Sequence, residues 1–529
     1  MNKEHLKNPV FLISAIVISI LVVIGALFPK KFGAIAEELF LFTTTNFGWF
    51  YLIAVFVIII FLIAIAISKY GKIRLGGEQE RPEFPFFTWI GMLFSAGFGA
   101  GLVFWGVAEP MSHFFETPFY DLENQSEEAA RVAMGYSFFH WGISQWSVFA
   151  IVGLVIAFLQ FRRNDNALIS KATESVTGSK KVVSHTIDSL AVIATVLGIA
   201  TSIGLGVLQI HGGLTTVSNI SNAVWVQIVI IAIVFLAYMA SATTGLDKGI
   251  RYLSNLNLGL CLLLLVFVFF MGPTVFILNA FTLGIGDYIA EFIQYSLRLE
   301  PYKGGTWVRD WTVFYWAWAI AWSPFVGAFV ARVSRGRTIR EFITGVMVIP
   351  PVIACFWIAT FGGTALYKDL NESAGIAEAV NNDITVALFN VFATLPFSFI
   401  MSVLAILLIF TFLVTSADSA TYILGSMTTG GSINPPVFQK LVWGVLISAI
   451  AGVLLLAGGL DALQTASLVA AVPFTVILLI MLAAVLKMLR KEPIPISKRD
   501  IRRYRRIEIA SAKLEENEKE SKKVKKKRK

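Results

Sequence analysis

The feature that most constrains this chain is the repetition of apolar runs of roughly 20 residues, separated by short polar loops. A helix rises 1.5 Å per residue, so about 20 apolar residues cross the ~30 Å hydrocarbon core of a bilayer. The composition agrees, because 56% of the 529 residues are hydrophobic and only 15% are charged, against about 25% charged in soluble chains. The sequence therefore predicts an all-α polytopic membrane protein.

Twelve spans are expected from the apolar runs. They lie near 10–28, 48–68, 87–108, 133–160, 187–210, 222–241, 253–278, 308–331, 342–366, 397–426, 437–457 and 462–487. Lys and Arg collect in alternate loops, including 69–81, 162–181, 332–340 and Lys440. Cytoplasmic loops carry such an excess of cations. We therefore expect both termini on the cytoplasmic side of a cell membrane.

The segment 311–337 is long enough to cross the membrane. Its first half carries four tryptophans: Trp311, Trp316, Trp318 and Trp322. Helical residues rotate by about 100° each, so Trp311, Trp318 and Trp322 share a face that Phe325 and Phe329 continue. Aromatic faces attract cations, including quaternary ammonium groups. Membrane tryptophans are also common interfacial anchors, which is the interpretation for one or two of them near Trp311, whereas the depth of Trp322 beside a proline favours a functional role. A buried cation site is the favoured interpretation.

Proline is expected to interrupt this eighth span at Ser323-Pro324. Proline lacks an N–H and its ring collides with the preceding turn, so the carbonyl of Ile320 loses its partner. A freed carbonyl is tolerated in a membrane where it is buried in protein or lines a wet cavity. The sequence thus predicts a broken helix here.

Three glycines at every second position, Gly97, Gly99 and Gly101, lie inside the third span. Each lowers helix stability by about 1 kcal/mol relative to alanine. Gly97 and Gly101 also fit a small-residue packing seam, but the three do not share one helical face. An unwound stretch is favoured. Secondary transporters often carry one broken helix in each of two inverted repeats, with the binding site between them.

Two further spans contribute candidate residues. Trp141, Trp146 and Phe149 fall within a sector of about 140° on the fourth span and could face the tryptophans of the eighth; packing alone explains them equally well. Thr415 and Ser416 interrupt the apolar tenth span and could supply oxygen ligands to a small cation. Hydroxyls that bond back to their own helix are the alternative. Asp418 is the weaker candidate in that run.

The basic charge of the chain belongs to its C-terminal tail. Residues 487–529 hold 18 Lys and Arg against 7 Asp and Glu, which leaves the remainder of the chain near −2 of the total +9. A basic tail beside a membrane is attracted to anionic lipid. Nucleic acid is the weaker interpretation, because no binding module accompanies the tail. An unstructured topogenic tail remains the alternative.

Four motifs together resemble the betaine–choline–carnitine transporter family. They are GFGAGLVFWGVAEP, HWGISQW, TVFYWAWAIAWSPFVGAFVARVSRGRT and TSADSA, and the resemblance runs over essentially all twelve spans. It implies a LeuT-type fold, in which two peripheral helices precede two inverted repeats of five helices, and usually a homotrimer. It also implies sodium-coupled uptake of compatible solutes, often under osmotic control. No cofactor, catalytic residue or metal beyond sodium is implied, and an enzyme is not expected.

The resemblance divides the chain and assigns its sites. Residues 1–86 hold the peripheral helices, 87–278 and 308–487 the two repeats, 279–307 an amphipathic helix on the outer surface, and 488–529 the tail. The implied substrate-binding residues are Trp141, Trp146, Phe149, Trp318, Trp322, Phe325, Phe329, Gly97, Gly99 and Gly101. The implied sodium ligands are Ser95, Phe98, Phe412, Thr415 and Ser416.

Several positions depart from the family pattern. Ala319 stands where betaine carriers usually have a tryptophan, and Phe149 replaces the usual tyrosine. Losing one aromatic wall could remove about 1–2 kcal/mol of cation–π attraction. Ile199 stands where a second sodium site would need a hydroxyl, although Thr195 is retained, so one sodium ion is expected. Gly101 replaces the aspartate of proton-coupled members, which favours sodium coupling.

The leading hypothesis is a symporter that imports an organic cation or zwitterion, with glycine betaine as the first candidate. A choline, carnitine or ectoine carrier is the alternative within transport, because Ala319 departs from the betaine pattern. A membrane osmosensor without transport is the alternative from another class, suggested by the cationic tail.

Overall fold

The computed structural model describes residues 7–97, 99–119, 121–218, 220–244, 247–302, 304–494, 506–517 and 519, and within them it is built from helices with no β-strand. The first nine are α1 (Pro9–Leu27), α2 (Pro29–Ile67), α3 (Phe86–Gly97), α4 (Ala100–Phe115), α5 (Glu127–Trp141), α6 (Ile143–Ala157), α7 (Ile169–Thr177), α8 (Lys181–Val217) and α9 (Val224–Thr244). The next nine are α10 (Asp247–Met271), α11 (Thr274–Leu297), α12 (Phe314–Val333), α13 (Ile339–Glu372), α14 (Ile376–Asn382), α15 (Ala387–Ala393), α16 (Ser398–Thr428), α17 (Val437–Gly458) and α18 (Leu460–Leu489).

Helix α12 lies at the centre of the bundle. It packs most extensively on α6, and also on α18 and α8. Its tryptophans are buried, whereas the peripheral α1 presents large apolar side chains outward, such as Ile16 and Leu27. Apolar side chains on the outside of a membrane bundle face lipid, so their exposure carries no penalty there. The central position of α12 agrees with its role in the predicted site.

Twelve helices of the described residues are long and apolar enough to cross a membrane. Their number equals the prediction, but one member differs. The third predicted span is divided between α3 and α4, each too short to count, and α11 takes its place in the total. The boundary predicted at 278/279, between the first repeat and the amphipathic helix, lies earlier in the structure, because α10 ends at Met271 and α11 begins at Thr274.

The contacts of α11 indicate that it lies across the bundle. Phe281 packs on Phe138 of α5, and Tyr295 stacks on Tyr136, with ring centroids 3.9 Å apart. The two α11 residues are separated by about 21 Å of helix, yet their partners on α5 are neighbours. Helix α11 therefore crosses α5 at a steep angle, as expected of an amphipathic helix on the surface of the bundle.

The predicted interruption of the third span is confirmed. Helix α3 ends at Gly97 and α4 begins at Ala100, and Gly99 has an extended backbone with φ −127° and ψ −174°. The predicted break of the eighth span at Pro324 is wrong, because α12 continues through it. The Ser323 hydroxyl donates to the Ile320 carbonyl at 2.8 Å. This bond replaces the one that proline removes, so the helix need not open.

The basic loops predicted to share one side do lie on one face. Arg162 donates to the Glu492 carboxylate at 3.0 Å and to the Gly76 carbonyl at 3.0 Å. Arg335 donates to Glu80 at 2.6 Å. The backbone N–H of Gly77 has the largest effect on the pKa of the Glu80 carboxyl and lowers it; burial opposes this shift, and Arg335 adds smaller lowering contributions, so the pKa lies below its usual value. Of the predicted tail, 488–529, residues 495–505, 518 and 520–529 lie outside the described residues, and 506–517 are helical.

Candidate functional site

A cavity with an empty volume of about 480 Å³ lies among α4, α5, α6, α8, α12 and α16, next to the interruption between α3 and α4. Ser416 of α16 also reaches it. Six residues predicted from the sequence to bind substrate line this cavity: Gly99, Gly101, Trp141, Trp318, Trp322 and Phe325. The structure therefore brings the start of α4 and the tryptophans of α5 and α12 to one place.

The aromatic rings form a connected wall. Trp141 meets Trp318 edge-on with ring centroids 6.0 Å apart, and Trp318 stacks with Trp322 at 6.1 Å. Phe325 follows at 5.8 Å from Trp322. Such rings attract a desolvated cation at their faces. The described lining carries no charged side chain, so a net-neutral zwitterion fits this cavity better than a free anion.

Glycine permits the backbone of α4 to approach these rings. A Cβ placed on Gly101 would lie 2.5 Å from Cη2 of Trp318. A Cβ on Gly99 would lie 3.7 Å from Cη2 of Trp322, an ordinary contact. Gly101 is therefore required by the ring position, whereas Gly99 belongs to the extended linker.

The other predicted substrate residues are placed differently. Trp146 and Phe149 are buried and pack together at 5.6 Å, and Phe149 meets Trp322 at 6.1 Å. Neither is among the described lining residues, so Phe149 supports Trp322 and Trp146 in turn supports Phe149. Gly97 ends α3, and its surroundings are not described. Phe329 lines a second cavity.

The second cavity adjoins the first. Its empty volume is about 750 Å³, and Gly99, Trp322, Phe325 and Ser416 line both cavities. Three predicted sodium ligands, Phe412, Thr415 and Ser416, lie in its wall. Of the other two, Phe98 lies outside the described residues, and Ser95 belongs to α3 with its side chain also outside the description.

The hydroxyl of Thr415 is bonded back to its own helix. It lies 3.0 Å from the Thr411 carbonyl and 3.1 Å from the Phe412 carbonyl, and both carbonyls are positioned to accept its hydrogen. Asn257 donates its Nδ2 to the same hydroxyl at 3.2 Å. The alternative of back-bonding therefore describes Thr415 as it stands. Asp418 instead accepts from Ser241 at 2.7 Å and lines neither cavity among the described residues.

The structure also shows where the positions that depart from the family pattern lie. Ile199 lines the first cavity, while the Thr195 hydroxyl donates to the Ala191 carbonyl at 2.7 Å. Ala319 is 1% exposed and is not among the described lining residues. Its small side chain therefore affects the packing behind the tryptophan wall.

Sequence reasoning missed a buried network behind Trp141. The indole of Trp141 donates to Oε2 of Glu109 at 2.9 Å, and Tyr315 donates to the same oxygen. Oε1 of Glu109 lies 2.5 Å from Nδ1 of His140, whose other nitrogen lies 2.9 Å from the Thr312 hydroxyl. A glutamate inside an apolar run was the available signal, since such residues are costly and usually functional.

A metal ion is a further reading of part of this network. Ligand atoms of Glu109, His113 and His140 lie within 4.8 Å of one another. Oε1 of Glu109 lies 3.3 Å from Nε2 of His113 and 2.5 Å from Nδ1 of His140, so these atoms already contact one another at hydrogen-bonding distance. Oε2 of Glu109 accepts from Trp141 and Tyr315, and Nε2 of His140 meets the Thr312 hydroxyl. We therefore interpret the cluster as the hydrogen-bonded support of the aromatic wall.

Sequence reasoning also missed a helix break and several polar lining residues. The helix is interrupted at Gly142, between α5 and α6. The Tyr288 hydroxyl accepts a hydrogen bond there from the backbone N–H of Ile143 at 2.8 Å. Gln145 and Ser202 line the first cavity, and Asn257 the second. Glycine after the tryptophan in HWGISQW was the signal for the break.

Comparison with known proteins gives a family model and close relatives. The model described as betaine/carnitine/choline family transporter matches residues 9–494. The ectoine/hydroxyectoine transporter of Virgibacillus pantothenticus is 65% identical over 491 residues, which cover 93% of this chain and 98% of the relative. The glycine betaine transporter OpuD of Bacillus subtilis (strain 168) is 44% identical, covering 92% and 95%. The probable glycine betaine transporter of Desulfitobacterium hafniense (strain Y51) is 42% identical, covering 93% and 99%.

Proposed function

The chain belongs to the betaine/carnitine/choline transporter family, and within it we propose that the protein imports a zwitterionic compatible solute in symport with sodium. It is a multi-pass membrane transporter rather than an enzyme. Ectoine is the first substrate we propose, and glycine betaine the second. Choline and carnitine remain to be compared with them.

The one observation that carries the proposal is that both cavities meet at the interrupted helix. Gly99, Trp322 and Ser416 belong to the walls of both. A cation held on the tryptophan faces would therefore lie beside the hydroxyls of α16. Interrupted membrane helices offer unpaired backbone groups to substrates and ions at such places. Binding of one ligand would then favour the geometry that binds the other, which is what coupling requires.

The similarity to known relatives supports ectoine as the substrate, whereas the sequence alone favoured glycine betaine. The chain is most similar, among those described above, to a protein named for ectoine and hydroxyectoine, at 65% identity against 44% for the glycine betaine carrier. Ala319 departs from the betaine pattern but lines neither described cavity, so we propose that it acts on substrate choice through the packing behind the tryptophans.

Sodium coupling is supported by two features of the site. Gly101 offers no carboxylate for a proton, and Phe412, Thr415 and Ser416 lie together at the second cavity. Because the Thr415 hydroxyl is bonded back to its helix, sodium would bind with its remaining lone pair or after a rotation of the side chain. We propose one sodium ion per cycle, since Ile199 replaces a hydroxyl.

We propose further that the protein works by alternating access, as a homotrimer in the cell membrane, with both termini in the cytoplasm. The basic loops gathered with Glu492 on one face support this orientation. The tail 488–529 would contact anionic lipid and relay osmotic state to transport.

Reconstitution into proteoliposomes tests the function. We expect labelled ectoine to accumulate under an inward sodium gradient and not under an equal potassium gradient, with glycine betaine competing. Ser416→Ala should raise the sodium concentration needed for half-maximal uptake about tenfold. Thr186→Ala is the matched control, because Thr186 is an exposed hydroxyl bonded back to the Val182 carbonyl at 2.9 Å, outside either cavity.

Two outcomes would contradict the proposal. Uptake that is equal in both gradients would exclude sodium symport. Binding of solute without any accumulation would indicate a sensor instead of a transporter.

A further inference from the structure

We propose that Gln145 selects substrates whose cationic group carries an N–H, namely cyclic amidinium carboxylates of the ectoine type, over quaternary ammonium compounds. This inference rests on the proposed function and names the substrate class of the same cavity. It concerns a residue that the sequence analysis did not single out.

Gln145 lies on α6 in the wall of the first cavity. It lines that cavity together with Trp141, Trp318 and Ser202. The residue is only 3% exposed. Among the described residues, no donor lies within hydrogen-bonding distance of its carbonyl oxygen, Oε1. A buried acceptor without a partner thus belongs to a side chain in the wall of the space where the substrate is expected.

Two indole donors of the cavity wall, those of Trp318 and Trp141, are already engaged elsewhere. The indole of Trp318 donates to the Ser202 hydroxyl at 3.3 Å, and Ser202 donates to the Gly198 carbonyl at 3.3 Å. The indole of Trp141 donates to Glu109 on the far side. Buried acceptors without a partner are uncommon because they lose their bonds to water. The open acceptor of Gln145 is therefore best explained by a donor that arrives with the ligand.

The chemistry of the two solute classes differs at this acceptor. An amidinium ring is a planar cation with N–H groups in its plane and a delocalised face. Its face can lie against the tryptophan rings while an N–H donates to Gln145. A trimethylammonium group has the same charge, but it carries only methyl groups. It satisfies the aromatic wall and leaves the Gln145 carbonyl without a hydrogen bond.

A second buried glutamine provides a matched control. Gln209 of α8 is 2% exposed, and its Oε1 also has no partner among the described residues. Its Nε2 donates to the Val103 carbonyl at 3.1 Å. Gln209 is not among the described lining residues of either cavity. Its replacement tests the loss of a buried amide without a change at the ligand.

The experiment compares KM values in proteoliposomes containing the full chain. Gln145→Met keeps the length of the side chain and removes the acceptor. We expect the ratio of the ectoine KM to the glycine betaine KM to rise about tenfold to a hundredfold, since a charge-assisted hydrogen bond is lost for one substrate alone. Gln145→Glu retains an acceptor and should keep the ratio at or below the wild-type value. For a solute that is not transported, its inhibition constant replaces KM.

The outcomes separate this inference from the proposed function. An unchanged ratio in Gln145→Met, or an equal rise of the ratio in Gln209→Met, overturns the role of Gln145 while transport stands. If Gln145→Met transports neither solute, Gln145→Glu provides the test instead. A rise in the ratio of the ectoine KM to the glycine betaine KM in that variant overturns the inference. Failure of the wild-type protein to transport either solute would instead count against the proposed function.

Discussion

Replacing Gly101 with alanine should weaken substrate binding through a single ring. The added Cβ would lie 2.5 Å from Cη2 and 3.1 Å from Cζ2 of Trp318. The shorter distance falls about 0.9 Å inside the 3.4 Å at which ordinary van der Waals contact begins. Either the indole or the first turn of α4 must therefore move by about that distance.

Trp318 has little freedom to yield. It stacks on Phe314 with ring centroids 6.0 Å apart and planes 3° from parallel, and on Trp322 at 6.1 Å. Its indole nitrogen is also tied to Ser202. Overpacking a well-filled site costs about 1–3 kcal/mol. Displacing one aromatic face loses part of about 1–2 kcal/mol of cation–π attraction, so we expect KM to rise about tenfold.

Two other glycines provide controls for this substitution. A Cβ on Gly99 would meet Trp322 at an ordinary 3.7 Å, and a Cβ on Gly91 of α3 would meet nothing within 4 Å. Gly91→Ala should leave KM unchanged. Gly99→Ala should act less on KM than Gly101→Ala, and any effect would come through the extended linker.

The assay is initial uptake of labelled ectoine over a range of concentrations, with thermal unfolding of the purified protein in detergent as the measure of stability. The steric argument fails if Gly101→Ala transports with the wild-type KM. It also fails if Gly91→Ala raises KM as much, because the effect would then reflect helix propensity in general.

Two further predictions follow from single contacts, and a third from the charge of the tail. Ser323→Ala should lower the melting temperature and the maximal rate, because the Ile320 carbonyl loses its donor at a cost of about 1–3 kcal/mol; Ser323→Thr should restore both, and an unaltered Ser323→Ala would contradict the account of the proline. Gly142→Ala should abolish uptake, since its Cβ would lie 2.4 Å from the Tyr288 hydroxyl, and retention of full activity would show that the break can shift. Truncation after Lys491 should remove activation by hyperosmotic medium while uptake at low osmolarity continues; activation that persists in vesicles rich in anionic lipid would exclude a role for the tail.

The sequence predicted the unwound stretch between α3 and α4 because glycine acts through its own backbone. Gly97 and Gly99 need no partner to favour an interruption, so their spacing was sufficient. The proline at 324 was different. Its effect depends on whether another donor reaches the orphaned carbonyl, and the Ser323 hydroxyl does so. A rule that counts only the lost N–H predicts a break that the neighbouring side chain prevents.

The aromatic residues of the site were predictable by type and less so by role. Helical periodicity gives the direction of a side chain but not what lies between it and the cavity. Trp141 and Trp318 reach the cavity, whereas Trp146 and Phe149 stop behind Trp322. The depth of each ring depends on how α6 packs on α12, which no local pattern contains.

The isolated polar residues were missed for a related reason. Gln145 and Glu109 lie inside two of the motifs that carry the resemblance, where the tryptophans and glycines drew the attention. Their meaning comes from partners far along the chain, as with Glu109 and Tyr315, which lie 206 positions apart. In a membrane protein, a single buried amide or carboxyl is costly enough to need a reason of its own. Trp141 is found by its aromatic motif, whereas Gln145 is found by its buried acceptor without a partner, the group at which the two proposed solutes differ.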